Sequence, residues 1–166
     1  MFVIEKLTQA HSVAGFECSN ATLDTWLKRF AWTNQRAETA KTYVAHRGAH
    51  GGDRVVGYHA LVAGSVRKHE APERIGQGIP NHPVGVIVLA RLAVDRSEQG
   101  KGLGKALLFD ALSRIEDAAD IVGVRAVLFM PLTRPHGASI CTLSLRSRGR
   151  SLSVVATLQG SSESNP

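Results

Sequence analysis

The feature that most restricts this chain runs from residue 83 to residue 119: PVGVIVLARLAVD, then RSEQGKGLG, then KALLFDALSRIEDAA. The first piece, residues 83–95, is almost continuously apolar, as a strand is when both of its faces are covered. The last carries Leu107, Leu108, Ala111, Leu112 and Ile115 on one side, the stripe of an amphipathic helix from Leu103 to Ala119. A buried strand that passes through a glycine-rich turn into a helix points to a sheet layered with helices.

The flanking segments agree. Phe2 to Leu7 reads as a short opening strand. SNATLDTWLKRFAW spaces Leu23, Trp26, Leu27 and Phe30 as one helical face, with Ser19 or Asn20 as its N-cap. TYVAHR (42–47) and VVGYHALVAGSV (55–66) are strand-like runs around the turn GAHGGD, which predicts an antiparallel hairpin. Residues 67–82 read as a polar loop, and VRAVLFM (124–130) as another buried strand. The predicted order is β, α, β, β, β, α, β: one mixed α/β domain spanning residues 1–166, with a recognisable core over 1–130.

Other classes fit poorly. No apolar run approaches the roughly 20 residues of a membrane span, and MFVIEKLTQAHS is too polar for a signal peptide. Cys18 and Cys141 offer neither a disulfide framework nor a metal pattern, so a reducing cytoplasm is expected. His46, His50, His59, His69 and His82 show no ligand spacing, and no metal is expected. The net charge of +6 raises a nucleic-acid partner. Half of that charge sits in residues 131–166, where four arginines face one glutamate. Lys28, Arg29, Arg36 and Arg96 are candidates to follow RNA phosphates, against a bland reading as solvated faces. Arg91, inside an apolar strand, needs either a partner or a route to the surface.

The turn itself places backbone N–H groups at the positive end of a helix dipole, a ready anion site. Gly100, Gly102 and Gly104 give the chain freedom to turn at positive φ and to let a phosphate approach. Lys101 and Lys105 add charge at its rim. The spacing does not make a P-loop, and it narrowly misses the dinucleotide fingerprint GxGxxG. A purely structural tight turn remains open on the glycines alone.

The wider stretch LARLAVDRSEQGKGLGKALL resembles the acetyl-coenzyme A signature of the GNAT-family N-acetyltransferases, Gln/Arg-x-x-Gly-x-Gly/Ala, met here by Gln99, Gly102 and Gly104. Upstream, FECSNATLDTWLKRFA, TYVA and VVGYHALVAGSV are similar to the toxins of bacterial toxin–antitoxin pairs within that family. The resemblance implies a GNAT fold: a single, mostly antiparallel mixed sheet flanked by helices. It implies acetyl-CoA as donor, held by the backbone of Leu92, Ala93 and Val94 and by the turn Gln99, Gly100, Lys101, Gly102, Leu103, Gly104 and Lys105. It further implies transfer to the amino group of aminoacyl-tRNA and a ribbon-helix-helix antitoxin as partner; the sequence leaves the oligomeric state open, a homodimer being one candidate. An acetyltransferase of small-molecule or protein amines, or a non-catalytic acyl-CoA-binding remnant, are the alternatives.

The resemblance stops after Met130. The subgroup places a tyrosine just beyond the strand equivalent to VRAVLFM, in a motif of the form A-R-x-F-Y, as proton donor to the leaving thiolate. This chain has only Tyr43 and Tyr58, both in early strands, and the expected position corresponds to about Ile140. Residues 131–166 are rich in serine and arginine and show no helical stripe. Either a genuinely divergent tail or a frame slip, natural or from sequencing, accounts for this, and the genetic code favours the slip. Permitted codons for Phe129 to Arg146, read in an alternative frame, give HAIDEAARRFYLHFEFE, whose tyrosine straddles Ser139 and Ile140. The tail as written is therefore expected to be poorly ordered, and the family's last helix and strand to be missing.

Overall fold

Tyr58 and His59 are neighbours in one strand and point into different layers. Tyr58 packs on Trp26, while His59 bonds Asp110 on a helix across the sheet. That alternation is the period of two of a β-strand, and it divides the fold into a helix layer on either side of one sheet. The computed structural model describes residues 2–48, 54–66, 83–122, 126–129, 139–147 and 150–158. The predicted loop at 67–82, most of the GAHGGD turn, and His50, His69 and His82 lie outside them.

The strands are β1 (Val3–Lys6), β2 (Lys41–His46), β3 (Val55–Val66), β4 (Val84–Val94), β5 (Ala126–Phe129), β6 (Ser139–Ser147) and β7 (Arg150–Leu158). The helices are α1 (Ala21–Arg29), α2 (Ala31–Arg36) and α3 (Leu103–Val122). The sheet order is β1-β2-β3-β4-β5-β7-β6. β1 to β4 are antiparallel neighbours, whereas β5 runs parallel to both β4 and β7. The predicted mixed, mostly antiparallel sheet holds, and so does the order β, α, β, β, β, α, β, with α2, β6 and β7 in addition.

The helix predicted over SNATLDTWLKRFAW is two helices that break at Phe30. Asn20 is the N-cap, its side chain accepting from the N–H groups of Thr22 and Leu23. Ser19, the other candidate, has φ +73° and so turns the chain into the cap. Beneath these helices Phe16, Leu23, Trp26, Leu27, Val44 and Tyr58 form one core. Truncating a buried aromatic such as Trp26 costs about 3–5 kcal/mol. On the opposite face α3 buries Leu103 and Leu107 against Val56 and Ala45. Further along, Ile115 of α3 meets Ile87 and Val127.

In the tail, the helix expected to be missing is absent among the described residues, and two strands are described. β6 and β7 form an antiparallel hairpin from Ser139↔Leu158 to Ser147↔Arg150, and β7 extends the sheet beside β5. The reason is legible in hindsight: SICTLSLRS and RSLSVVATL alternate apolar residues with serine, threonine or arginine, a strand period that a search for a helix passes over. No helix stands between β5 and β6 among the described residues.

Candidate functional site

The site is built where β4 loses its neighbour. β5 pairs with β4 only along Val86–Leu89, while β3 follows β4 to Val94. Between them Arg91 faces Ala60 and Leu89 faces Leu61, so Ala90 is an extra, bulged residue. From Ala90 onward, no strand among the described residues pairs with the outer edge of β4.

Which backbone groups that edge presents follows from the ladder. The N–H of Asp95 donates to the Val56 carbonyl at 2.8 Å. Opposed antiparallel residues alternate between bonded and non-bonded pairs. Ala93, opposite Tyr58, therefore turns its backbone to β3, whereas Leu92 and Val94 turn theirs to the open edge. The Ala93 side chain is also buried in the α1-side core. The Val94 carbonyl accepts from Gln99 Nε2 at 3.0 Å, which leaves its N–H on the open edge.

The turn that follows is fastened from several directions. Asp95 caps the short helical turn Arg96–Glu98 and accepts from the N–H groups of Ser97 and Glu17, both at 3.0 Å. Ser97 Oγ donates to it at 2.7 Å, and Arg54 approaches it at 3.4 Å. Burial pushes the Asp95 carboxyl up, but these hydrogen bonds outweigh it and hold the group below the ordinary aspartate value. Gln99 Nε2 also donates to the Cys18 carbonyl at 3.1 Å. Gln99 is thus a strut that ties the turn to β4 and to the segment before α1.

Gly100 and Gly102 sit at φ +76° and +86°, where an L side chain is strained. Gly104 does not, and a Cβ there would rest 3.6 Å from Val94 in ordinary contact. Of the predicted triplet, two glycines are demanded by backbone conformation and the third is not. The Ala106 N–H donates to the Gly102 carbonyl at 3.2 Å. The N–H groups of Leu103, Gly104 and Lys105 form the first turn of α3, where no intrahelical carbonyl reaches them. The open edge at Leu92 and Val94 leads directly into the donors of this turn, and together these form a rim of N–H groups of the kind that a diphosphate and an adjoining carbonyl require.

A sequence profile of the acetyltransferase (GNAT) family matches residues 7–134. The chain belongs to this family. Its acyl donor is acetyl-CoA, and the rim fits that molecule: glycines at positive φ, free helix-terminal donors and an unpaired strand edge are all present. The chain is 42% identical over 123 residues to a tRNA-acetylating toxin of Mycobacterium tuberculosis (strain ATCC 25618 / H37Rv), covering 74% of this chain and 71% of that protein. It is similar in structure to AtaT complexed with acetyl-methionyl-tRNAfMet, with TM-score 0.72, 25% identity, and 80% and 79% of the two chains covered. A mutant AtaT toxin bound to the C-terminus of antitoxin AtaR and acetyl-CoA matches with TM-score 0.66 and 25% identity, over 80% and 76%.

The remaining candidates sort by their contacts. Tyr58 is buried and its hydroxyl donates to the Leu23 carbonyl at 3.0 Å; burial pushes that phenol well above its ordinary range. Tyr43 lies under the Arg114 guanidinium at 3.8 Å and stacks on His59 at 5.1 Å. Ile140 is in β6, opposite Thr157, with β7 and β5 between it and β4. No tyrosine among the described residues is placed at the open edge.

Arg91 finds its partner in the Trp26 ring, 4.4 Å from its guanidinium. Arg96 donates to Ser19 Oγ at 2.7 Å, while Lys28, Arg29 and Arg36 are exposed. Cys18 is a buried thiol; burial first, then Asp24, pushes it up to about 11.

Sequence reading missed one convergence of metal-ligand types. Glu5 Oε1 lies 3.0 Å from His11 Nε2 and 3.2 Å from His46 Nε2. The other ring nitrogens accept backbone N–H groups, His11 Nδ1 from Thr8 at 3.0 Å and His46 Nδ1 from Gly48 at 3.1 Å. Those bonds put the imidazole protons on Nε2, facing Glu5. A cation at that point would have to displace both protons and break both backbone bonds. The cluster is a double histidine–carboxylate clamp on β1 and β2.

Proposed function

We propose that this chain, as one domain over residues 1–166, is built to acetylate the amino group of aminoacyl-tRNA and so to block translation. The observation that carries the reading is the open β4 edge beside the fastened turn, in a chain 42% identical to a tRNA-acetylating toxin. Acetyl-CoA, when bound, supplies an acetyl group as a thioester. The N–H groups of Leu92 and Val94 would hold the acyl end, Ala93 would seat that strand on β3, and Gln99 to Lys105 would hold the pyrophosphate. Donors fixed beforehand in this way lower the barrier without reorganising during reaction. An aminoacyl ester acidifies its own amine, so the acceptor needs little help from a base.

Among the described residues no tyrosine stands ready to give a proton to the leaving thiolate, a role worth about 10²–10⁴ in rate. Both tyrosines are engaged elsewhere, and Ile140 has no proton to give. That observation favours a second reading: an acyl-CoA-binding protein with slow transfer, which still occupies an antitoxin. We assign the antitoxin to the ribbon-helix-helix class, the protein to the cytoplasm and its assembly to a homodimer. Among the described residues no helix is long and apolar enough to cross a membrane.

The test is incubation with radiolabelled acetyl-CoA and either charged or uncharged tRNA, beside calorimetric titration of acetyl-CoA. Label on charged tRNA alone supports the toxin reading. Binding with no transfer supports the second. Transfer to free amines or to proteins, and not to charged tRNA, rejects both.

A further inference from the structure

Directly beneath the turn lies a carboxylate, an odd neighbour for a diphosphate. Glu98 has a side chain only 3% exposed, and its Oε1 accepts from Arg47 Nη2. Its Oε2 has no hydrogen-bond partner among the described residues and stands 3.5 Å from Lys101 Nζ, a charge contact. Arg47 follows the last residue of β2, lies over the Phe2 ring at 5.7 Å, and belongs to no part of the turn motif. The Arg47 hydrogen bond, against the pull of burial, holds the Glu98 carboxyl below the ordinary glutamate value.

Charge arithmetic decides what this arrangement does. Glu98 and Lys101 alone would cancel, and the rim would offer a diphosphate no net attraction. Arg47 supplies the missing cation. With the carboxylate committed to Arg47, the ammonium of Lys101, 57% exposed and weakly held, is left available to a phosphate. On the acetyl-CoA reading of the turn, on which this rests, we infer that Arg47 and Glu98 are a positioning pair for pyrophosphate binding: Glu98 parks Lys101 at the rim, and Arg47 frees it to engage the anion.

The pair is tested by titrating acetyl-CoA and S-acetylpantetheine, which lacks the pyrophosphate, into the unsubstituted chain, Arg47→Met, Glu98→Gln and the double variant. Arg47→Met is expected to weaken acetyl-CoA binding about tenfold, the size of one uncompensated surface charge contact, with S-acetylpantetheine unchanged. The double variant is expected to recover most of that loss, because it removes the carboxylate that sequesters Lys101. Equal weakening for both ligands, or no recovery in the double variant, makes the pair merely structural and overturns the inference. So does full affinity in Arg47→Met. Melting temperatures of the same proteins separate misfolding from weak binding. Failure of the unsubstituted chain to bind acetyl-CoA at all overturns the site reading, and this inference with it.

Discussion

His59 Nε2 stands 2.7 Å from Asp110 Oδ2, so one bond joins the middle of β3 to α3. The same carboxylate oxygen accepts from Arg114 Nε at 2.8 Å, and Arg114 in turn covers Tyr43. His59 is fully buried and its Nδ1 has no partner among the described residues. Burial holds the imidazole below the ordinary histidine value, although Asp110 pulls the other way. The folded chain therefore binds this proton less readily than the unfolded chain does. Stability is intact well above pH of about 6.5 and falls as the pH drops below it. In melting curves between about pH 7.5 and about pH 5.5, His59→Gln is expected to be the less stable protein at the upper end. Its Tm is also expected to decline less over the range. Equal slopes would show that the dependence arises elsewhere.

Asp95 is the second buried acid on which the site depends. It accepts from residues on both sides of the turn, Glu17 before α1 and Ser97 after β4. Removing it leaves two part-buried N–H groups without their acceptor, at no more than about 1–3 kcal/mol each. Asp95→Ala is expected to lower the midpoint of urea unfolding clearly and to weaken acetyl-CoA binding as the turn loosens. Since its carboxyl is held below the ordinary value, the stability it contributes is present at neutral pH and is lost as pH falls through the folded value. The two proteins should thus converge in stability on strong acidification. A gap that persists there would mean that Asp95 acts without its charge.

These two acids show where sequence reading reaches and where it stops. The glycine turn was legible because positive φ at Gly100 and Gly102 is a local demand, written in the residues themselves. The strand–turn–helix order was legible because periodicity is local too. Asp95, His59 and the Arg47–Glu98 pair were not, since their roles depend on partners up to 78 positions away. Ala93 shows a subtler limit. Whether its backbone faces inward or outward depends on the register with β3, which no local pattern encodes. The period-two pattern of β6 and β7 is local as well, but it does not say which strand of the sheet the hairpin joins.

The glycines of the turn are not equivalent. At Gly100 and Gly102 nothing lies within 4 Å of an added Cβ, so alanine meets no clash and only the backbone is strained. That strain is about 1–2 kcal/mol per position. Gly100→Ala and Gly102→Ala are each expected to weaken acetyl-CoA binding several-fold and to lower Tm, while Gly104→Ala leaves both near the unsubstituted values. Titration calorimetry on the three variants checks the order. Comparable loss at Gly104 would show that close approach of the ligand, and not backbone conformation, governs the turn.

The position corresponding to the absent tyrosine can be tested directly. Ile140 lies in β6 at the far edge of the sheet, with two strands between it and β4. A hydroxyl placed there by Ile140→Tyr is too remote to protonate a thiolate leaving from the open edge of β4. Ile140→Tyr is therefore expected to leave acetylation of charged tRNA unchanged. Restoring the alternative frame, so that HAIDEAARRFYLHFEFE follows β5, is expected to raise it by about 10²–10⁴. The coding DNA around codons 128–130 supplies the prior check: its synonymous choices must permit that reading. If they do not, or if Ile140→Tyr alone restores transfer, the missing proton donor is not a matter of reading frame, and β6 lies closer to the chemistry than its place in the sheet indicates.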